Sequence, residues 1–146
     1  MRIPRMTVVT LGVADLSRAT KFYEAVLDTP PDTSNDGVTF FQLPGVWLSL
    51  FPREHLAKDI SPDVNPALGG FSGVTLAHNV RGKEDVAAIL ARAKSAGARI
   101  EKEAQDTFWG GYGGYFSDPD GHYWEVVWGP MFEFTAAGEL KPAIKA

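Results

Sequence analysis

The sequence contains no cysteine, which excludes disulfide bonds and thiolate chemistry and fits a reducing compartment. It also lacks any apolar run that approaches the roughly 20 residues of a membrane-spanning helix. Its opening residues are too short and too interrupted to form a secretory signal. These absences predict a cytoplasmic protein with no membrane partner.

An excess of positive charge is missing as well. The chain has 14 Lys and Arg residues against 18 Asp and Glu residues, a formal net charge of −4. Because such a chain has no basic field for phosphate, we expect no nucleic-acid partner. What is present is 45% hydrophobic residues among 146. That content is enough to bury a core, and we predict a single domain over residues 1–146.

The clearest local pattern is a turn at residues 118–121 between two runs rich in aromatic residues. Pro119 fixes the backbone angle φ for a turn, and Gly121 can adopt the positive φ that closes it. The pattern therefore predicts a β-hairpin.

Glu125 lies in the second strand of this hairpin. Because side chains alternate along a strand, Glu125 shares a face with Tyr123 and Val127, whereas Trp124 and Trp128 lie on the face expected to pack against helices. A carboxylate among apolar neighbours is costly to bury unless it meets a cation, a donor or a ligand. Glu125 is therefore the first candidate functional residue, and the alternative is a rim position in contact with water.

The first half of the chain predicts a strand, a helix and two more strands. Residues 7–13 are rich in β-branched side chains, and Asp15 is a natural N-cap for the amphipathic pattern that follows. Residues 38–43 and 46–51 are apolar runs separated by a Pro-Gly turn, which indicates a second hairpin.

The second half repeats this order. After residues 53–70, which show no sustained period and are interpreted as a linker, a strand is predicted over 73–78 and an amphipathic helix that ends at Gly97. A short strand and the hairpin complete the pattern. Thr75 follows Thr10 by 65 residues, about half the chain, so the sequence indicates an internal duplication.

The expected fold is α+β, with two βαβββ modules in one chain forming curved sheets around a cavity. One helix covers only one face of each sheet, and the two remaining faces can enclose a space for a small molecule. The predicted boundaries are module one 5–52, linker 53–70, module two 71–130 and a C-terminal tail 131–146.

The run from Val9 to Leu16, the pair Phe22 and Tyr23, and the run from Tyr115 to Glu125 together resemble the vicinal oxygen chelate superfamily. That group includes glyoxalase I, fosfomycin-resistance transferases, extradiol dioxygenases and bleomycin-resistance proteins. The resemblance covers nearly the whole chain. The resemblance indicates the fold clearly but not the reaction, because proteins with this fold catalyse many different reactions.

The resemblance implies where a divalent metal ion would bind, and the residues depart from that pattern. Glu125 occupies the position of the last ligand, but Val8 and Gly73 occupy the two positions on the first strands of the modules. The fourth position falls within 47–49, where no good ligand is present. Because one carboxylate cannot hold a catalytic ion against water, we expect no metal and no cofactor.

The resemblance also implies a cavity in which Glu125 and Tyr115 form the polar centre, with Thr10 and Thr75 nearby. The predicted aromatic walls are Trp47, Phe108, Trp109, Tyr112 and Tyr123. Aromatic faces stack on rings and attract positive charge, and a carboxylate pairs with an amine. A small organic molecule, flat or partly cationic, is therefore the expected partner.

Three functional classes remain open at this point. The first is a non-catalytic binding protein similar to bleomycin-resistance proteins. The second is a metal-independent enzyme in which Glu125 is the general base and Tyr115 the acid or oxyanion donor. The third is a lyase or dioxygenase whose metal is held by unexpected residues. Family members commonly pair, so a homodimer is expected.

The glycines between Trp109 and Tyr115 do not lie between a strand and a helix, as a phosphate-binding loop requires. They are predicted to supply bends and hinge freedom. Trp109, within this stretch, is considered either a mobile lid residue or a structural one.

Overall fold

The computed structural model of the chain describes residues 1–3, 5–67 and 69–141. The chain divides into two compact units, residues 1–74 (unit one) and 75–146 (unit two). In the predicted C-terminal tail, an isolated bridge joins Phe134 and Leu140. Residues 142–146 of that tail lie outside the described residues.

The described residues of unit one form a three-stranded sheet and two helices. The elements are β1 (Val8–Val13), α1 (Leu16–Leu27), β2 (Thr39–Phe41), β3 (Trp47–Pro52) and α2 (Arg53–Ile60). The sheet has the order β1-β3-β2, with β1 parallel and β2 antiparallel to β3. The predicted strands, the first helix and the hairpin between β2 and β3 are confirmed.

Helix α1 covers one face of this sheet. Asp15 is its N-cap, as predicted, because its Oδ1 accepts a hydrogen bond of 3.0 Å from the backbone N–H of Arg18. The hydroxyls of Thr20 and Thr39 are 2.8 Å apart and join the helix to β2. The core of unit one includes Ala19, Phe22, Tyr23 and Val26 of the helix and Leu11, Phe41, Leu48 and Leu50 of the sheet.

The prediction of an irregular linker over 53–70 is wrong for its first eight residues, which form α2. The helix packs on the sheet near Gly12, whose carbonyl oxygen accepts a 3.1 Å hydrogen bond from Arg53 Nη2. Glu54 in the first turn and Lys58 in the last turn complement the helix dipole. Two turns of mostly polar residues are too short to show a helical period, which explains why the pattern was missed.

The described residues of unit two form a four-stranded sheet and one helix. The elements are β4 (Thr75–Asn79), α3 (Glu84–Ser95), β5 (Arg99–Asp106), β6 (Tyr112–Ser117) and β7 (Tyr123–Trp128), and the sheet has the order β4-β7-β6-β5. The turn between β6 and β7 forms as predicted: Gly121 has φ +84° and Asp118 Oδ1 accepts the N–H groups of Asp120 and His122.

Helix α3 covers one face of this second sheet. Its buried residues are Val86, Leu90 and Ala93, and the sheet contributes Phe116, Trp124 and Val126. The rings of Phe116 and Trp124 stack with centroids 6.1 Å apart. The expectation that Trp124 lies on the helix side is therefore confirmed.

The two units share one connectivity, which confirms the predicted α+β fold with two related modules. The order β1-β3-β2 in unit one corresponds to β4-β7-β6 in unit two. The counterpart of β5 in unit one is a single bridge, in which Asp32 and Phe40 exchange backbone hydrogen bonds of 2.8 and 3.0 Å. Whether the uncovered faces enclose one cavity stays a prediction.

The helices of the described residues are short. Helices α1 and α3 have 12 residues each and α2 has eight. Across residues 1–3, 5–67 and 69–141, none is long and apolar enough to cross a membrane.

Candidate functional site

Tyr115 and Glu125 lie opposite each other on β6 and β7 and face away from α3. The neighbouring pair, Gly114 and Val126, faces the helix, since a Cβ placed on Gly114 would lie 2.7 Å from Leu90 Cδ1. Because side chains alternate, Tyr115 and Glu125 occupy the uncovered face of the unit-two sheet. The Tyr115 hydroxyl donates a hydrogen bond of 3.0 Å to Glu125 Oε2.

This hydrogen bond fixes the carboxylate and leaves part of it available. Both residues are half-buried, and among the described residues Tyr115 is the only side chain hydrogen-bonded to Glu125. Burial raises the pKa of Tyr115, and the hydrogen bond to Glu125 and the negative charge of that carboxylate raise it further. Tyr115 therefore stays a neutral donor over the whole physiological pH range.

We expect this coupling to be visible in a tyrosine titration. The tyrosinate absorbance that is lost in Tyr115→Phe should correspond to a group whose pKa lies above the ordinary 10.0. Glu125→Gln should lower the pKa of Tyr115, because glutamine carries no charge. The increase in this pKa that burial causes should remain in the variant. The pKa of Tyr115 is higher in the folded chain than in the unfolded chain. The protonated hydroxyl therefore stabilises the fold fully below the ordinary pKa of 10.0, and this stabilisation is lost as the pH rises through the raised pKa.

An unchanged Tyr115 titration in Glu125→Gln would contradict the contact. The chain has four tyrosines, so the difference between two single variants is readily resolved. Tyr23 is a buried residue of α1 in unit one, so it lies away from this contact.

Two more predicted residues share this face of unit two. Thr75 pairs with Tyr123 and Ala77 pairs with Glu125 along the parallel strands β4 and β7. The small side chain of Ala77 leaves space directly beside Glu125. Thr75 and Tyr123 therefore lie on the same face as the Tyr115–Glu125 pair.

Trp109 also reaches this face, at its turn end. A Cβ placed on Gly111 would clash with the Trp109 ring. The pairing of β5 and β6 continues into the turn, where the Gly111 carbonyl oxygen accepts a hydrogen bond of 3.0 Å from the N–H of Thr107. By alternation, Gly111 is on the same side of β6 as Tyr115. The Trp109 ring contacts Phe132 with centroids 6.0 Å apart, so it is partly held in place. Whether it acts as a lid stays a prediction.

The structure does not bring Tyr112 or Phe108 to the pair. Tyr112 lies on the α3 side of β6, where Lys83 Nζ is 4.8 Å from the centre of its ring. Phe108 is fully exposed at the turn between β5 and β6. Tyr112 and Tyr115 are three positions apart on one strand. Because side chains alternate along a strand, the sequence itself predicts that these two side chains lie on opposite faces of the sheet.

The remaining predicted residues, Thr10 and Trp47, belong to unit one. They lie on the face of its sheet opposite α1, where Thr10 pairs with Ser49 and Trp47 is 41% exposed. The rings of Trp47 and Phe40 meet edge to face at 6.0 Å. This face therefore presents aromatic rings beside the exposed Thr10, whereas Ser49 is buried and α2 packs on the same face at Gly12.

Sequence analysis missed Glu101, which lies on the same face as Glu125. Its Oε1 accepts a hydrogen bond of 2.8 Å from Ser117 Oγ. Ser117 is two residues from Tyr115 on β6 and pairs with Tyr123. Ile100 pairs with Phe116 on the α3 side, so alternation along β5 places Glu101 on the opposite face. The apolar Ile100 directly before it is the sequence signal that could have indicated this orientation.

The register also corrects one of the implied metal positions. Val8 pairs with Trp47, and the corresponding pair in unit two is Thr75 with Tyr123. The counterpart of Val8 is therefore Thr75, whereas Gly73 precedes β4 and has φ +81°. Neither assignment places a His or an acid at the position.

The donor set therefore does not fit the divalent ion of the vicinal oxygen chelate pattern. By the same register, Ser49 is the unit-one counterpart of Glu125. Within the described part of the chain, no group of three or more His, Cys, Asp or Glu residues is placed to hold a metal ion. Such ions in proteins take three or more protein ligands of these types.

Comparison with known proteins supports one family. The model described as the Glyoxalase/Bleomycin resistance protein/Dioxygenase superfamily matches residues 5–126. A glyoxalase-related enzyme from Fulvimarina pelagi is 32% identical, with a TM-score of 0.87 over 97% of this chain and 100% of that chain. Metallothiol transferase FosB from Shouchella clausii (strain KSM-K16) is 28% identical over 131 residues, 88% of this chain and 82% of that protein.

A more distant structure supports the fold alone. The fosfomycin resistance protein FosX from Listeria monocytogenes is 23% identical, with a TM-score of 0.68 over 89% of this chain and 97% of that chain. The arrangement of strands and helices is therefore shared by proteins whose names describe different activities.

Proposed function

Because the chain belongs to the glyoxalase/bleomycin resistance protein/dioxygenase superfamily, we propose that it is a small-molecule binding protein that holds a flat organic compound with a basic group. The basic group pairs with Glu125. The observation that supports this proposal is the hydrogen bond of 3.0 Å from Tyr115, which holds the carboxylate on the uncovered face of the sheet.

The chemistry of this face favours a cation attached to a ring. A half-buried carboxylate that is already oriented by a donor loses little freedom when an ammonium group approaches it. Tyr123 lies on the same face, and an aromatic ring near a carboxylate attracts both flat ligands and positive charge. The proposed complex is thus one charge-assisted hydrogen bond supported by ring contacts.

The proposal includes the absence of the usual divalent ion, on the ground that the donor set does not fit one. We expect the purified protein to carry no stoichiometric Mn, Fe, Ni or Zn by elemental analysis. About one ion per chain, lost in Glu125→Ala, would contradict this part of the proposal.

The second candidate function is a metal-independent enzyme. The observation that favours it is the same contact: Glu125 would be the general base, and Tyr115, kept protonated by its raised pKa, would donate to a developing oxyanion. The names of the relatives, a glyoxalase-related enzyme and a thiol transferase, also keep a catalytic role open.

Two further parts of the proposal concern the setting of the protein. We place it in the cytoplasm, because a chain without cysteine gains nothing from an oxidising compartment. We also propose that it pairs as a homodimer. Light scattering that gives a 15.9 kDa species at high concentration would contradict the dimer.

The experiment that tests the proposed function is a titration of tryptophan fluorescence with a naphthalene that carries one aminomethyl group. We expect saturable quenching without chemical change of the probe. The matched naphthalene that carries a hydroxymethyl group should bind about ten- to a hundredfold more weakly. Turnover with a pH–rate profile whose acidic limb disappears in Glu125→Gln would instead establish the enzyme. Absence of binding would contradict the proposal.

A further inference from the structure

A second carboxylate lies on the uncovered face of unit two, on the far side of β6 from Glu125. Glu101 is on β5, and its Oε1 accepts the hydrogen bond of 2.8 Å from Ser117 Oγ. Its side chain is 29% exposed. Both carboxylates are thus oriented by hydroxyl groups of β6: Tyr115 orients Glu125, and Ser117 orients Glu101.

The sheet geometry sets the spacing of the two acids. Glu101 and Glu125 are on strands separated by β6, and neighbouring strands are about 4.8 Å apart, so the two backbones are about 10 Å apart. Ser117 and Tyr115 differ by two positions on β6, which keeps both hydroxyls on one side. The face therefore presents two acids across a distance that one bicyclic aromatic compound can span.

We propose that Glu101 is a second anchor of the site and that the ligand class is an aromatic compound with two basic groups about 10 Å apart. This inference rests on the proposed function, because it assigns the second charge of the same ligand. One basic group pairs with Glu125, the ring lies over β6, and the other basic group pairs with Glu101. Glu101 is a specificity-determining residue: it selects two charges over one.

The cationic neighbours of Glu101 do not already fill this role. Arg99 Nε is 3.6 Å from Glu101 Oε1, but the Arg99 side chain is 82% exposed. Water and salt screen such a pair, and its contribution is small. Lys102 is the strand partner of Tyr115, is exposed, and forms no ion pair among the described residues. A ligand ammonium group that approaches Glu101 therefore displaces little.

The test compares two probes that differ in one charge, naphthalene with one aminomethyl group and naphthalene with an aminomethyl group on each ring. We expect the unmodified protein to bind the diamine about five- to tenfold more tightly than the monoamine. Glu101→Gln should remove this preference by lowering the affinity for the diamine to about that for the monoamine. Glutamine retains the acceptor for Ser117, so the strand contact is kept.

The matched control is Glu103→Gln, which removes the same charge from the same strand. It should retain the preference for the diamine, whereas a general effect of net charge would lower it equally in both variants. Equal affinity of the unmodified protein for the two probes, or a preference that survives in Glu101→Gln, would overturn the inference while leaving the proposed function intact. If neither probe binds, both the inference about Glu101 and the proposed function are contradicted.

Discussion

Replacing Glu125 by glutamine is expected to weaken binding of the naphthalene monoamine by about ten- to a hundredfold. A hydrogen bond to a charged group contributes about 1.5 to 3 kcal/mol, and each 1.4 kcal/mol corresponds to a factor of ten in affinity. Glutamine keeps an oxygen that accepts the Tyr115 hydroxyl, so the loss should come from the charge alone. Isothermal titration calorimetry measures it directly.

The matched control is Glu24→Gln, on the exposed side of α1 in unit one, which removes the same charge away from the proposed site. Its affinity for the monoamine should equal that of the unmodified protein. Thermal unfolding should show that both variants are folded. An affinity in Glu125→Gln that matches the control would mean that this carboxylate does not meet the ligand.

Replacing Gly114 by alanine is expected to destabilise the protein by about 1 to 3 kcal/mol. A Cβ at this position would lie 2.5 Å from the carbonyl oxygen of Lys102 and 2.7 Å from Leu90 Cδ1. The first of these atoms is backbone of β5, so the sheet and α3 must both move. The change is read as a lower midpoint of urea-induced unfolding, followed by far-ultraviolet circular dichroism.

The matched control is Gly69→Ala, because a Cβ at this position meets nothing within 4 Å and the backbone there does not have a positive φ. We expect little change in its free energy of unfolding. Equal stability of the two variants would show that α3 does not pack closely on β6 at Gly114, contrary to the structure described above.

The glycines within residues 110–114 illustrate how structure refines a sequence interpretation. They were predicted to provide bends and hinge freedom. Gly110 does have φ +93° in the turn, but Gly111, Gly113 and Gly114 adopt ordinary backbone angles and are surrounded by atoms that leave no room for a Cβ. Close packing explains these three positions, and the hinge is not needed for them.

The central pair was predictable because the turn at 118–121 fixes the register of its hairpin. A tight turn determines which residues face each other, and the 2-residue period then places Tyr115 and Glu125 on one face. The amphipathic patterns of α1 and α3 likewise predicted which sides of the two sheets are covered. The 2-residue period of the strands and the 3.6-residue period of the helices thus show which side chains share a face.

The parts that were missed depend on local irregularities. Helix α2 is short and mostly polar, so no period reveals it. The register of β5 shifts after Ile100, so that Lys102 pairs with Tyr115, and Gly73 has a positive φ and lies outside β4. None of these features produces a regular period that a single sequence displays.

The most direct measurement for the account is a crystal structure of the protein with the naphthalene monoamine bound. We predict that the ammonium nitrogen lies within hydrogen-bond distance of Glu125, that Tyr115 still donates to the same carboxylate, and that the ring lies on the uncovered face of unit two. A probe bound elsewhere, for example in the 510 Å³ cavity of unit one beside Arg53 and His55, would contradict the central claim.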